Sequence, residues 1–233
     1  MQQQCRYCKN VGSGAFCSAC GEPYENKRLS LGSIIHEAAH FFTHLDKGFP
    51  YTLKQLINQP GTMQKTYVEG YRKKYQKPFA MYFLCATISA LVIYWINILL
   101  IKNYDAGDNK EALFFSKYWA LLQVALLPVY AFITWLIFKF TKFNYGEILV
   151  LQLYQFSMLF IFLAIIHLLK FMFLYLETRY IEVPVILIYT TITNLRFFAV
   201  QKKWIVILLT ILSITICFAL ASSIQDFLVD RYF

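Results

Sequence analysis

Charged side chains are scarce in this sequence of 233 residues. Asp, Glu, Lys and Arg make up 15% of it and apolar residues 58%, whereas a soluble domain carries about 25% charged and about 45–50% apolar residues. One soluble core of this length could not bury so many large apolar side chains. The composition therefore excludes a disordered chain and a disulfide-rich secreted scaffold, and it predicts a multi-pass membrane protein with a polar segment attached.

Several catalytic and transport signatures are also missing. The sequence contains no phosphate-binding glycine loop, no nucleophile elbow and no internal repeat, which mark nucleotide hydrolases, serine hydrolases and repeat proteins respectively. Its apolar segments carry no central Asp or Glu, although such a residue is expected in a proton-coupled transporter. These absences favour a protein without enzymatic activity.

Long apolar segments dominate the sequence after Pro78. Five of them approach the ~20 residues that a helix needs to cross ~30 Å of hydrocarbon. They cover residues 78–101, 119–138, 148–169, 181–198 and 204–221. We therefore predict an all-α polytopic membrane protein with about five transmembrane helices. The fourth segment is short and begins near Pro184, so a four-span arrangement in which it lies partly in the interface stays open.

The composition divides the chain into four parts. Residues 1–28 hold four of the six cysteines, residues 29–77 are mixed and amphipathic, residues 78–221 hold the apolar segments, and residues 222–233 form a short tail. We predict a small zinc ribbon for the first part and cytoplasmic amphipathic helices beside the membrane for the second. The third is the transmembrane bundle, and the fourth is an extracytoplasmic tail.

Basic residues are concentrated ahead of the first apolar segment. Residues 1–77 carry a net charge of +6 and the remaining residues +3. Residues 65–77 are especially basic and adjoin the first span, and the positive-inside rule assigns such a segment to the cytoplasm. No signal-peptide pattern opens the sequence, in agreement with this orientation. We predict an inner (cytoplasmic) membrane protein whose N-terminus is cytoplasmic and whose C-terminus is extracytoplasmic.

Two Cys-x2-Cys pairs lie near the N-terminus. Such paired knuckles place four thiolates around a zinc ion with Zn–S distances near ~2.3 Å. The predicted ligands are Cys5, Cys8, Cys17 and Cys20. Gly12 and Gly14 suit a tight turn between the knuckles, and Gly21 suits the positive φ that follows the second one. Four cysteines leave no open coordination position, so we interpret the zinc as structural; a redox pair or free thiols are the alternative.

A histidine-containing segment follows the cysteines. Residues 31–45 are predicted to form an amphipathic helix, on whose polar face His36, His40 and His44 recur every four residues. His36-Glu37-Ala38-Ala39-His40 also fits the H-E-x-x-H pattern of zinc metalloproteases. A protease needs a third ligand and a closed cleft, which a helix of this size does not supply. We interpret the face as a polar surface, with a second metal site or a proton-sensing face as alternatives.

The segment after this helix carries a recognisable motif. Its residues are Asp46-Lys-Gly48-Phe49-Pro-Tyr-Thr52-Leu53, Leu56, Pro60-Gly61, Tyr67, Gly70, Arg72, Tyr75 and Pro78-Phe79. With the cysteine knuckles, the motif resembles an uncharacterised family of bacterial membrane proteins with an N-terminal zinc ribbon and several transmembrane helices. The resemblance implies this architecture but no activity. Lys9-Asn10 stand where glycine is usual in the family, and the helices resemble the Yip1-like membrane fold more distantly.

Aromatic and basic residues alternate immediately before the first span. Tyr67, Tyr71 and Tyr75 follow at intervals of four and are predicted to share one face of an amphipathic helix. Lys65, Arg72, Lys73, Lys74 and Lys77 surround them. Such a helix fits the headgroup layer of an anionic membrane or packs on the end of the bundle, and both can hold together.

Polar residues within the apolar segments are few. The ones that stand out are Gln152, Gln155, Asn194 and His167. Gln152 and Gln155 lie three apart, so they share a helix face and can bond to a neighbouring helix. Amides in such positions join helices more often than they bind a substrate.

The sequence favours a non-enzymatic inner-membrane protein whose zinc-stapled, basic cytoplasmic head mediates protein or anionic-lipid interaction. The expected cofactor is Zn²⁺, and the expected partners are membrane lipid and a protein partner or a second copy of the chain. Arg6 and Lys9 are too few for a nucleic-acid surface. A small transporter, channel or lipid-handling protein is the first alternative, with the four polar membrane residues lining a path. A zinc metalloprotease is the second.

Overall fold

The computed structural model describes residues 3–5, 8–21, 24, 48–104, 110–173, 176–200 and 202–232. Within this part, a short hairpin precedes seven helices. The hairpin pairs β1 (Gln3–Gln4) with β2 (Val11–Gly12) in antiparallel register. The helices are α1 (Phe49–Asn58), α2 (Thr62–Val68), α3 (Pro78–Tyr104), α4 (Lys110–Ile137), α5 (Tyr145–Leu168), α6 (Arg179–Phe198) and α7 (Lys203–Tyr232). The prediction of a mostly helical chain is confirmed.

Four of these helices are long and apolar enough to cross a membrane, as far as the described residues go: α3, α5, α6 and α7. Helix α4 adds a shorter apolar run, Leu121–Ile137. Helix α6 corresponds to the fourth apolar segment, the short one that begins near Pro184. It is continuous through Pro184 and is one of the four helices that could cross a membrane. By length and composition, the helices indicate a multi-pass membrane protein.

The last helix is longer than the sequence predicts. We expected the fifth span to end at residue 221 and a separate tail to follow, but α7 runs without a break to Tyr232. Residues 222–232 lack the glycine or proline that would end a helix. The predicted tail is therefore the last part of α7.

Helix α5 is the central element of the bundle. Of its apolar stretch 72% is buried, against 22% for α7, and α3, α4 and α6 pack against it. Leu151, Leu153 and Met158 are fully buried in the core. On the outside, the helices present a band of exposed apolar side chains that includes Leu91, Phe132, Ile188, Leu208 and Phe218. An apolar exterior of this kind is what a hydrocarbon environment requires.

A capping box fixes the start of α5. The Asn144 side chain accepts a hydrogen bond from the Glu147 N–H at 2.8 Å, and the Glu147 carboxylate accepts one from the Asn144 N–H at 2.8 Å. These bonds satisfy backbone donors that have no partner in the first turn of a helix. They also explain why a carboxylate is buried at the edge of the apolar segment.

Helices α1 and α2 cover one end of the bundle. They pack on α5, and α2 also contacts α6. The Tyr189 hydroxyl of α6 donates to the Leu56 carbonyl at 3.4 Å, and the Tyr154 hydroxyl of α5 donates to the Gln76 carbonyl at 2.6 Å. We call this the collar end. It holds the start of α3, α5 and α7 and the end of α4 and α6.

The helix predicted through the three tyrosines is shorter than expected. Helix α2 ends at Val68, and a non-helical loop covers residues 69–77. Gly70 has a φ of +110°, which a right-handed helix does not contain, so the helix stops before it. We correct the prediction accordingly: Tyr67, Tyr71 and Tyr75 do not lie on one helix face.

Candidate metal centre and its basic surroundings

Four thiols converge in the N-terminal hairpin. The Sγ atoms of Cys5, Cys8, Cys17 and Cys20 all lie within 4.8 Å of one another. The Cys5–Cys20 and Cys8–Cys17 pairs are each 3.5 Å apart. A tetrahedral zinc site with Zn–S bonds of ~2.3 Å separates its sulfurs by roughly 3.8 Å, so these thiols fit a metal ion. The predicted clustering of the four cysteines is confirmed.

Each cysteine pair is held by the same turn. The Lys9 N–H donates to the Cys5 carbonyl at 2.9 Å, and the Gly21 N–H donates to the Cys17 carbonyl at 2.7 Å. The residue after each pair is left-handed, with φ of +63° at Lys9 and +71° at Gly21. Glycine adopts this left-handed backbone conformation without strain at the second knuckle, whereas Lys9 is strained by it at the first knuckle.

The local backbone favours the thiolate form at one ligand. Burial raises the pKa of the Cys17 thiol, but hydrogen bonds from the N–H groups of Cys20 and Ala19, together with those from the Cys8 and Cys20 thiols, outweigh this effect and lower that pKa to about 6. A metal-binding cysteine must lose its proton. The second knuckle is therefore shaped to hold a thiolate, which supports a metal centre over neutral thiols.

Relief of the strain at Lys9 is expected to strengthen metal binding. Replacing Lys9 by glycine removes the cost of a left-handed side-chain residue, about 1 kcal/mol, and should tighten zinc binding about fivefold. The matched control is Lys9→Ala, which removes the charge but keeps the Cβ atom and should give no gain. An equal gain from both variants would assign the effect to charge and contradict the backbone argument. Competition with a chromophoric chelator measures it.

The hairpin lies against the loop of residues 69–77. A methyl group built on Gly21 would lie 2.9 Å from the Lys73 Nζ, so this ammonium group touches the second knuckle. Lys73 and Lys74 are exposed, while Lys65, Arg72 and Lys77 are half-buried. The Arg72 guanidinium lies over the Tyr67 ring at 5.8 Å. We call these five basic residues the basic collar; through Lys73 it adjoins the hairpin that holds the metal centre.

The tyrosines of this region face the bundle. The Tyr67 ring is buried and contacts Tyr154 edge-on, with ring centroids 5.4 Å apart. Tyr75 packs between Tyr67 and Tyr51, at centroid distances of 6.3 and 5.7 Å. Tyr71 is half-buried. The sequence left open whether this region lies in the headgroup layer or packs on the end of the bundle. Tyr67 and Tyr75 pack on the bundle, and Lys73 and Lys74 remain at the surface.

The collar lies within the part of the chain that resembles other proteins. Residues 46–90 match a family described as a protein of unknown function, DUF3667. The match covers the motif from Asp46 to Phe79, the collar and the start of α3, and it leaves the four cysteines of the metal centre outside. No curated protein and no solved structure matches the chain. The bacterial origin and the Yip1-like fold stay predictions.

The histidine segment cannot be placed beside this centre. His36, His40 and His44 lie outside the described residues. The second metal site and the protease interpretation, which depend on them, stay predictions.

Buried polar side chains join the helices in the part of the bundle nearer the collar end. Gln152 of α5 donates to the Thr134 hydroxyl at 2.8 Å, and Thr134 lies 3.1 Å from the Ser213 hydroxyl of α7. Gln155 of α5 donates to the Asn194 amide oxygen at 2.9 Å. Asn194 of α6 donates in turn to the Thr210 hydroxyl of α7 at 3.1 Å. The two amides of α5 thus connect it to α4, α6 and α7.

His167 lies away from this network. It is near the end of α5 that is remote from the collar, where its Nδ1 is 3.0 Å from the Leu163 carbonyl and 3.6 Å from the Glu182 carboxylate. Gln155 and Asn194 bond to each other, and Gln152 bonds to Thr134 in a second set of hydrogen bonds that begins on the same helix. His167 joins neither set.

Sequence reasoning missed the partners of these amides. Thr134, Thr210 and Ser213 are buried at 1%, 0% and 5% exposure, yet single hydroxyl residues are common in apolar helices because they bond to their own backbone. No spacing in the sequence distinguishes the hydroxyl groups that bond across helices. Gly12 was also misassigned: it lies in β2 rather than in a turn, and the Tyr24 hydroxyl occupies the place of a side chain.

Proposed function

We propose that this chain is a non-enzymatic integral protein of the bacterial inner membrane whose zinc-stapled, basic cytoplasmic head mediates protein or anionic-lipid interaction. The observation that carries the proposal is the contact between the cysteine hairpin and Lys73. It combines the four thiols and the basic collar in one surface at one end of the helices.

Zinc is the metal that this ligand set suits best. Four thiolates favour soft or borderline ions, and Zn²⁺ accepts them in a closed tetrahedral site. Such a site offers no position for water or substrate, so its role is to hold the backbone. A head of this size cannot build its own hydrophobic core, and metal binding replaces one.

The charge distribution supports a cytoplasmic collar end. Basic residues at this end include Lys65, Arg72, Lys73, Lys74, Lys77, Lys139, Lys142, Arg196, Lys202 and Lys203. At the far end, the described acidic residues Glu111, Glu177, Glu182, Asp226 and Asp230 offset all but one of the basic charges of Lys102, Lys110, Lys117, Lys170, Arg179 and Arg231. The positive-inside rule assigns the end with the excess of Lys and Arg to the cytoplasm.

The exposed part of the surface defines what it can bind. Lys73 and Lys74 point outward beside a metal centre that carries a formal charge of about −2 when four thiolates hold one Zn²⁺. The ammonium groups suit carboxylates of a protein partner or phosphates of anionic lipid. Buried Tyr67 and half-buried Tyr75 pack beneath the loop that carries these lysines.

The interpretation as a transporter or channel has less support. Gln152 bonds to a hydroxyl group of α4, Gln155 bonds to Asn194 of α6, and Asn194 bonds to a hydroxyl group of α7, and this bonding between helices accounts for the presence of all three. His167 lies apart from them. Helix-joining amides therefore explain the residues that were candidates for a path.

Accessibility of introduced cysteines tests the orientation. In spheroplasts treated with a membrane-impermeant thiol reagent, Met172→Cys, at a residue that is 75% exposed, should react at once. Lys74→Cys, on the collar, should react only after permeabilisation. The native chain is the control for background reaction. Labelling of Lys74→Cys in intact spheroplasts would overturn the proposed orientation and with it the cytoplasmic head.

Cross-linking of the full chain in native membranes tests the interaction. A photo-crosslinker at Lys74 should capture a protein or an anionic lipid, and capture should fall when Lys73 is changed to Gln. The same crosslinker at Met172 is the matched control on the far side. Capture that is equal at both positions and independent of Lys73 would contradict a role for the head.

A further inference from the structure

A second basic surface lies on the other edge of the collar end. It is formed by the connection between α4 and α5 and by the connection between α6 and α7. Phe138 stacks on Phe198 with ring centroids 4.1 Å apart, and Phe143 packs on Phe197 at 4.7 Å. These contacts hold the two connections side by side, although they are far apart in the sequence.

Three lysines lie at this edge, one in the connection between α4 and α5 and two at the junction of α6 and α7. Lys139, Lys202 and Lys203 are all exposed, and we call them the basic rim. The sequence has no Asp or Glu from Phe138 to Thr141 or from Ala199 to Trp204. The three ammonium groups give the rim a positive potential.

Exposed aromatic rings accompany these lysines. Trp204 is 60% and Phe140 53% exposed, and the Lys139 Nζ lies 5.6 Å from the centre of the Trp135 ring. Tryptophan next to lysine is the pattern of a membrane–water interface, where the ring lies among headgroups and the ammonium reaches the phosphates.

The apolar band begins directly beside the rim. Phe132 and Leu136 are exposed on α4, and Leu208 and Ile211 are exposed on α7, which packs against α4. A lipid whose acyl chains lie along these two helices places its headgroup at the rim lysines. A soluble polyanion would use the lysines but not the apolar side chains, so the continuous surface favours a lipid.

We propose that the basic rim binds the phosphate headgroup of an anionic phospholipid in the leaflet at the collar end. The site is distinct from the metal centre and the basic collar. It rests on the part of the proposed function that places the bundle in a membrane. The lysines bind the phosphate, and the aromatic rings and the apolar surface of α4 and α7 hold the rest of the lipid.

Native mass spectrometry of the full chain in nanodiscs tests the rim. The nanodiscs contain a mixture of phosphatidylcholine and phosphatidylglycerol. When the protein is released from them in the mass spectrometer, it should retain phosphatidylglycerol in preference to phosphatidylcholine. The preference should fall about fivefold for each rim lysine that is changed to Gln, starting with Lys202→Gln and Lys203→Gln. Arginine in place of the same lysines should restore it. Phosphate in the buffer should not displace the lipid.

The matched control is the pair Lys170→Gln and Arg179→Gln at the far end of the bundle. It removes the same charge and should leave the preference unchanged. A preference that survives the rim substitutions, or that falls equally in the control pair, overturns the inference. If the protein enters nanodiscs but shows no preference between the two lipids, only the proposed lipid site at the rim is overturned. If the protein does not enter a bilayer, the proposed function is overturned as well.

Discussion

Replacement of Cys17 by serine is expected to abolish metal binding by the head. The purified native chain should carry one zinc ion, and the variant should lose it on dialysis, with an affinity loss of more than about 100-fold. Changes in the groups around a metal ligand already cost about 10–100-fold, and the loss of a ligand itself costs more. Cys17 is the sharpest choice because it is buried and the Cys20 and Ala19 N–H groups stabilise its thiolate.

Loss of the metal should open the head and leave the bundle intact. Apparent binding energies of structural zinc reach ~10–16 kcal/mol, while the described part of the head holds itself otherwise by a two-residue strand pair and a few turn hydrogen bonds. Limited proteolysis should therefore cut the variant within residues 8–21, and the helical circular dichroism should stay unchanged. Cys217→Ala, which removes a cysteine of α7, is the matched control and should keep its zinc. Full zinc occupancy of Cys17→Ser would contradict the four-cysteine site.

The sequence could predict the metal centre because its information is local. Two Cys-x2-Cys pairs fix four ligands within a short stretch, and the turns that shape them use bonds between neighbouring residues, such as Gly21 N–H to Cys17 carbonyl. The strain at Lys9 was also visible as a departure from the family pattern. What the sequence could not reveal is that Lys73 touches this centre, since that contact depends on the fold.

The long helices could be predicted because their signal is composition. Apolar stretches separated by short polar connections predict most of the starts and ends of these helices to within a few residues. One exception is the start of α4 at Lys110, nine residues before the predicted residue 119. The end of α7 at Tyr232 was missed because apolar content marks a span, whereas helical structure continues into polar residues that lack a stop signal.

The collar loop could not be predicted from periodicity. Tyr67 and Tyr75 recur at helical spacing and do meet, but through a turn and a loop instead of along a helix. Gly70 was the signal that should have outweighed the spacing, because a glycine inside a helical pattern costs stability and often marks its end. The bond from the Gln76 N–H to the Thr52 hydroxyl at 2.7 Å then fixes the loop on α1.

Replacement of Gly61 by alanine is expected to destabilise the collar end strongly. Gly61 has a φ of +82° and forms the turn between α1 and α2. A methyl group there would collide with the Thr193 carbonyl oxygen, and it would lie 2.7 Å from the Arg196 Cβ and 2.9 Å from the Phe197 N atom of α6. The left-handed backbone and the overlap together should cost about 3–5 kcal/mol.

This loss should appear as a thermal midpoint lowered by about 10 °C in detergent. The obstacle at Gly61 is backbone of a packed helix, which cannot move aside as a flexible side chain can, so α2 must lift from α6. Thr62→Ala is the matched control: it changes the next residue, which is exposed, and should shift stability by less than about 0.5 kcal/mol. Equal midpoints for Gly61→Ala and the native chain would mean that the turn does not lie against α6. The turn belongs to residues 46–90, the segment that matches DUF3667. Equal midpoints would therefore also mean that this segment does not pack on the end of the bundle.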